Sequence, residues 1–391
     1  MRREMQRSNE GRDEGSGQNN TTTTVLISEC LCEIRDSTKR IRCGIILTVL
    51  IAVTSVAATY LAQSTYTEEF NAPYFVTYFS TSWFIFMYPV YTIVLYVYSK
   101  GEYSPKHAIR EHIQVFAHHE FLISHFLGKS ALFCLLWTGA MYTYTKALDP
   151  HLINAADVYA IYSTHYSFFY MLSWIVLFEL FVAIRIIALI CSITGIVLFL
   201  YTDVFGSKYM WGVILALTSS AIMSIYKVLF KKFTGQPGFG KLSLFLSVIG
   251  LFSTLLLWPI MLALSLTDTE RITGITIPWG AMCGTTIFCL LCHVLMNYTS
   301  GLTHKLYFGL GVALGIPVCT FADYVFKKLA INGMEIAAVT FTLIGLLLVM
   351  WPDRCPAGMY TAFKCCLNSE VETHPREQRS QSHSVLHFSK G

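Results

Sequence analysis

His165 and Tyr166 stand side by side inside a long apolar and aromatic run, and few places in this sequence hold so polar a pair so far from any charge. An imidazole at membrane depth needs a partner or water, and its charge can change near neutral pH. Trp137, Tyr142, Tyr144 and Tyr170 supply ring faces of the kind that stack on a flat or cationic solute, with ordinary packing as the competing reading for each ring. His293 and Asn297 lie one helical turn apart and so share a helix face, suited either to a solute or to hydrogen bonds between helices. Lys227 follows Tyr226 and reads either as an anchor that snorkels to the interface or as a contact for an anion. Together these residues describe a binding surface for a small molecule.

The residue types needed for bond chemistry are missing from the pattern. His107, His112, His118, His119 and His125 crowd one loop, but His119-Glu120 lacks the second histidine of a zinc-binding HExxH helix. No phosphate-binding loop follows a strand, so ATP hydrolysis is not expected. The sequence predicts a non-enzyme without cofactor or metal.

The elements that must position these groups are membrane helices. Met171 to Tyr201 is thirty-one nearly unbroken apolar residues carrying only Glu179 and Arg185, and it reads as two helices joined by a turn. Hydrocarbon about 30 Å thick takes roughly 20 apolar residues per crossing. The whole chain, 54% apolar, 14% aromatic and only 13% charged, lies outside the range of soluble domains. Its net charge of +4 gives no support to a nucleic-acid partner.

Ten spans follow: Arg42–Gln63, Tyr74–Tyr98 with Pro89 inside it as a kink, Phe126–Leu148, Ala155–Phe178, Ala183–Thr202, Met210–Phe230, Lys241–Leu266, Ile277–Ser300, His304–Phe326 and Gly333–Trp351. Lys and Arg concentrate beside the N-terminus, in the 99–125 loop, around Lys231 and Lys232, and in the C-tail. That side is therefore cytosolic and holds both termini. Residues 1–41 read as a disordered cytosolic tail with no cleavable signal, 352–391 as a second tail, and the 99–125 loop as holding a short amphipathic surface helix. The cysteines lie in apolar runs or near the termini, which argues against a disulfide framework. Asp323 falls near the non-cytosolic end of its span, where solvation accounts for it. The strip Gly212, Ala216, Ser220, Ser224 and the pair Gly311, Gly315 read as close-packing surfaces.

Shifted by 150 residues, the fifth span lies over the tenth, with Ile186 on Ile336, Ala188 on Ala338, Gly195 on Gly345 and Leu198 on Leu348. Five helices per half is an odd number, so the halves enter the membrane from opposite sides. The expected fold is an all-α polytopic membrane protein of ten transmembrane helices in two inverted five-helix repeats, 42–202 and 210–351. Such carriers hold their substrate near the midplane between the halves.

The stretches FNAPYFVTYFSTSW (Phe70 to Trp83), LSWIVL (Leu172 to Leu177), VAIRIIALICSITGIV (Val182 to Val197), SIYKVLFK (Ser224 to Lys231) and IPWGAMCG (Ile277 to Gly284) resemble the drug/metabolite transporter superfamily with EamA-type repeats. Within it they are most similar to the F branch of solute carrier family 35, which includes putative thiamine transporters. The resemblance implies secondary transport of a small organic solute, a thiamine-like vitamin or a nucleotide-sugar-like metabolite. The chain departs from the branch pattern at Met141, at His165 and Tyr166, and at His304 and Lys305. Those departures motivate the alternative of a transport-inactive receptor or scaffold. The expected partners are the solute and the lipid bilayer of the plasma membrane or an endomembrane, and a homodimer is compatible with the sequence. The substrate site is expected between spans three, four, eight and nine, on His165, Tyr166, Trp137, Tyr142, Tyr144, His293, Asn297 and Lys227.

Overall fold

A computed structural model describes residues 42–98, 122–178, 183–201, 208–234, 239–267, 270, 277–302, 305–328 and 333–349. Among these the chain is all-helical with short connections. The helices are α1 (Arg42–Gln63), α2 (Pro73–Ser82), α3 (Met87–Tyr98), α4 (Leu122–Ala147), α5 (Ala155–Ser163), α6 (His165–Leu177) and α7 (Ala183–Tyr201). After them come α8 (Lys208–Thr234), α9 (Phe239–Leu256), α10 (Trp258–Leu266), α11 (Trp279–Leu302), α12 (Lys305–Lys327) and α13 (Gly333–Val349). Residues 99–121, with the expected amphipathic helix and four of the five loop histidines, Glu179 and both tails lie outside the described residues; the loop expected to run to His125 ends earlier, since α4 begins at Leu122 and His125 is within it.

Among the described residues five helices are long and apolar enough to cross a membrane, and the bent pair α9–α10 makes a sixth candidate. Ten crossings are therefore not established by length and composition, although each expected span coincides with helix. Large apolar side chains face outward in rows, among them Ile45, Ile46, Val49 and Val53 on α1 and Val90, Ile93, Val94 and Val97 on α3. Such a surface calls for lipid. The protein is a polytopic membrane protein.

Three spans expected as single helices are broken, and each break has a chemical cause. Pro89 cannot donate to the carbonyl four residues back, at Ile85. The chain runs as a 3-10 helix from Trp83 to Phe86 just ahead of α3, and Ser247 of α9 donates its hydroxyl to the Ile85 carbonyl at 2.6 Å. The kink thus lies upstream of the proline itself. Pro259 stands at the start of α10, and α9 and α10 meet at 42° across Leu257, whose carbonyl accepts from the Tyr74 hydroxyl at 3.1 Å.

The third break, at Thr164, has no proline. Here the hydroxyl strip of α8 lies against the break: Ser220 bonds the Thr164 side-chain hydroxyl at 3.0 Å, and Ser224 donates to the His165 backbone carbonyl at 3.0 Å. Irregular backbone at membrane depth persists only where such neighbours pair it. Gly212 of the same strip sits against Ile153, so the strip packs along its length, and Gly311 and Gly315 let α12 close on Ile51 and Tyr159.

α7 and α13 form the most extensive helix pair. A side chain at Gly195 would collide with Thr342 and with the Ala338 carbonyl, and one at Gly345 would collide with Ser192 and the Ala188 carbonyl. These two contacts exchange under the 150-residue shift. They also run in opposite directions along the two helices, so the pair is antiparallel about a local two-fold axis. Among the described residues the two non-glycine positions with positive φ, Phe178 (54°) and Lys328 (52°), are likewise 150 apart, each ending a helix. Both pairs of positions are separated by 150 residues, the shift at which the sequence overlays its fifth span on its tenth.

Candidate functional site

The break at Thr164 delivers His165 to the centre of the bundle. Tyr162 and His165 lie on either side of the break, and the Tyr162 carbonyl is 2.7 Å from His165 Nδ1. A carbonyl oxygen only accepts, so Nδ1 carries the proton and Nε2 of the neutral ring is an acceptor. Lys227 Nζ lies 2.6 Å from that Nε2 and 3.9 Å from the centre of the Tyr166 ring. Two positive charges in this geometry would set one N–H against another, so the pair holds one positive charge at most.

Around this pair lies a cavity of about 340 Å³. Rings wall one side in sequence: Tyr144 against Tyr162 at 4.7 Å, Tyr162 against His165 at 4.8 Å, His165 against Tyr166 at 4.2 Å. Trp137 forms the other side, edge-on to Tyr226, Phe84 and His293 at 5.4, 5.4 and 5.3 Å. The His293 Nδ1 lies 2.7 Å from the Cys289 carbonyl of its own helix, which fixes that nitrogen as the donor. Ser55 and Thr59 of α1 reach the cavity but are engaged by the hydroxyls of Tyr159 and Tyr144 at 2.9 and 2.8 Å.

Of the residues expected at the site, His165, Tyr166, Trp137, Tyr144, His293 and Lys227 line this cavity. Tyr142 does not: it turns to the Tyr74 ring at 5.8 Å and receives a bond from Lys146 at 3.4 Å. The reason is register, since Tyr142 is two residues from Tyr144 and a helix sends such positions to different faces. Asn297 is within α11, but its side chain lies outside the described residues. Lys227 reaches into the cavity, so of its two sequence readings the anchor at the interface is set aside. The walls also draw on spans one, six and seven, while span nine contributes only Val312. Tyr159, Tyr162, Tyr226 and Met223 went unread as site residues; the aromatic pattern is dense throughout and marks none of them.

One end of the bundle is tied by hydrogen bonds between distant segments. Tyr66 donates to the Thr145 carbonyl at 2.6 Å, Gln63 to that of Leu148 at 3.2 Å, and Tyr60 to that of Cys319 at 2.8 Å. Two carboxylates cap helices they do not belong to. Asp323 accepts the Ala156 N–H of α5 at 3.0 Å, and Glu270 accepts those of Tyr74 and Phe75 on α2 at 2.7 and 3.2 Å. Solvation does not account for Asp323, which is only 5% exposed. An anion at a helix N-terminus meets unpaired N–H groups and the positive end of the helix dipole.

Burial pushes the Glu270 carboxyl above its ordinary range, with the two N–H bonds and Lys146 pulling the other way. A raised value in the folded state means that protons bind it more tightly than the unfolded chain, so the stability Glu270 contributes is largest at low pH and falls as pH rises through that window. Glu270→Gln does not titrate. Its melting temperature, relative to that of the unsubstituted protein, is expected to rise from about pH 4 to about pH 7, which thermal unfolding at both values checks.

Among the described residues no group of three or more histidine, cysteine or acidic side chains could hold a metal ion. No protein-family model matches the chain. It is 32% identical over 321 residues to human solute carrier family 35 member F3, covering 82% of this chain and 76% of that protein. To human solute carrier family 35 member F4 it is 31% identical over 354 residues, covering 90% of this chain and 67% of that protein. To a thiamine-repressible mitochondrial transport protein of Saccharomyces cerevisiae it is 26% identical over 234 residues, 56% of this chain and 61% of that one. On the extent of the first two similarities, this chain belongs to the F branch of solute carrier family 35 within the drug/metabolite transporter superfamily.

Proposed function

We propose that the protein is a secondary carrier that moves a small organic solute across a membrane by alternating access, with His165, Tyr166, Trp137, Tyr144, His293 and Lys227 around the solute. The observation that carries this reading is the central cavity with a basic pair at a helix break. Broken helices at the midplane are where carriers of this kind hold their cargo. Family membership supports the same reading.

The wider architecture belongs to the proposal. Ten crossings, both termini cytosolic, and two inverted halves at 42–202 and 210–351 are supported by the local two-fold between α7 and α13 and by the paired positive-φ residues. The capped end of the bundle is then the non-cytosolic end, and it is closed. The membrane is the plasma membrane or an endomembrane.

The test is uptake by purified protein in liposomes against a panel that includes thiamine, nucleotide sugars, small organic acids and amines. Saturable accumulation of at least one member supports the carrier. Folded, monodisperse protein that accumulates none of them overturns it, and binding without uptake favours a receptor instead.

A further inference from the structure

We propose that the cavity takes a small, flat solute bearing one negative charge, and that the Lys227–His165 pair takes up one proton with it. This rests on the carrier reading and adds the charge class of the cargo and the coupled ion.

Three observations lead there. First, the described residues that line the cavity include no Asp or Glu, so the ammonium of Lys227 meets no carboxylate among them. Its neighbours are the His165 acceptor and the Tyr166 ring, both uncharged partners. Second, Trp137 lines the same cavity, is 4% exposed, and its indole N–H has no acceptor. Indole donates and never accepts, so Trp137 adds no acceptor to the walls. Third, the hydroxyls of Ser55 and Thr59 are bonded to those of Tyr159 and Tyr144, so neither is given to Lys227.

The groups facing Lys227 across the cavity are all neutral at their ordinary protonation. From α5 and α6 they are Tyr159, Tyr162, His165 and Tyr166; from α11, Cys289, Cys292 and His293. α4 presents Tyr144 and α8 itself presents Tyr226. The lining residues of α1, α9 and α12 carry no titratable side chain.

Charge accounting then selects two states. An empty cavity is electrically balanced when the pair is a neutral amine beside a neutral imidazole. A loaded cavity is balanced when the pair has gained one proton and the solute brings one negative charge. A lone cation held among aromatic walls in the membrane interior is costly in any other combination. A carrier that reorients only in its balanced states moves anion and proton together. The walls are largely aromatic and the volume of about 340 Å³ has room for one or two rings, which favours a flat shape.

The experiment uses two matched probe sets. Nicotinate, nicotinamide and 1-methylnicotinamide share one ring and carry −1, 0 and +1; indole-3-acetate and tryptamine carry −1 and +1 on two fused rings. Thermal stabilisation and tryptophan quenching of the full-length protein read binding between about pH 6 and about pH 8. One or both acids are expected to bind more tightly than their neutral or cationic partners. Their affinity should strengthen as pH falls by up to about tenfold per unit, the slope for uptake of one proton.

Lys227→Gln should abolish both the binding and the slope. Lys227→Arg, which keeps the charge and cannot lose it, should retain acid binding with the slope gone. Stronger binding of the cations, with affinity rising with pH, overturns the proposal in favour of exchange of a cation for a proton. Folded protein that binds neither acid at millimolar concentration overturns it as well. Uptake in liposomes separates the two readings: acids bound but not carried remove the carrier and leave the anion site, whereas a cation carried removes the anion site and leaves the carrier.

Discussion

Gly345→Ala is expected to destabilise the protein by about 1–3 kcal/mol, and Gly345→Leu to prevent α7 and α13 from docking. A Cβ at Gly345 would stand 2.8 Å from the Ala188 carbonyl oxygen, and one at Gly195 would stand 3.0 Å from that of Ala338. These are backbone atoms, which cannot rotate away, so the helices must separate. In a membrane, association of helices depends on such close approach, because lipid chains are as apolar as the side chains they replace. Gly195→Ala should cost a similar amount. The double substitution should cost less than the sum, since the first already opens the shared seam. Melting curves of the four proteins in one detergent measure all of this, and additive losses would show that the two glycines do not share an interface.

Asp323→Ala combined with Glu270→Ala is expected to open the capped end of the bundle. Asp323 holds the Ala156 N–H and Glu270 those of Tyr74 and Phe75, each from a helix far away in the chain, and leaving a buried N–H without its acceptor costs about 1–3 kcal/mol. Roughly tenfold or more in the open population follows for each cap removed. Ala62, 5% exposed at that end, can be changed to cysteine as a reporter. Its alkylation by a polar maleimide should be slow in the capped protein and at least about tenfold faster in the double variant. An unchanged rate would mean that the ring of tyrosine bonds alone closes this end.

These two predictions differ in how visible their residues are in the sequence. Gly195 and Gly345 are found by overlaying two apolar runs, because helix packing repeats with the helix. Glu270 and Asp323 are not, because each acts on a helix 196 or 167 residues away, and a lone carboxylate near a span end looks solvated until its partner is placed. The same distinction runs through the site. His165, Lys227 and His293 stand out because a polar group in an apolar run is rare. Tyr162 and Tyr226 are hidden among 22 tyrosines. The bend at Leu257 has Pro259 as a signal, but the break at Thr164 depends on hydroxyls from another helix, and nothing local announces it.

The antiparallel seam of α7 and α13 has a consequence for energetics. Under the alternating access proposed above, a contact that maps onto itself when the halves trade places would be identical in both end states and would work as a bearing: it would hold the halves together without preferring either state. The preference must come from residues that break the symmetry. Asp323 is one, since the residue 150 positions earlier is Ser173, which has no charge to offer a helix end. The resting orientation of the molecule would then be written in a few unmatched side chains at one end, and replacing them would change which face the cavity opens to while leaving the cavity itself intact.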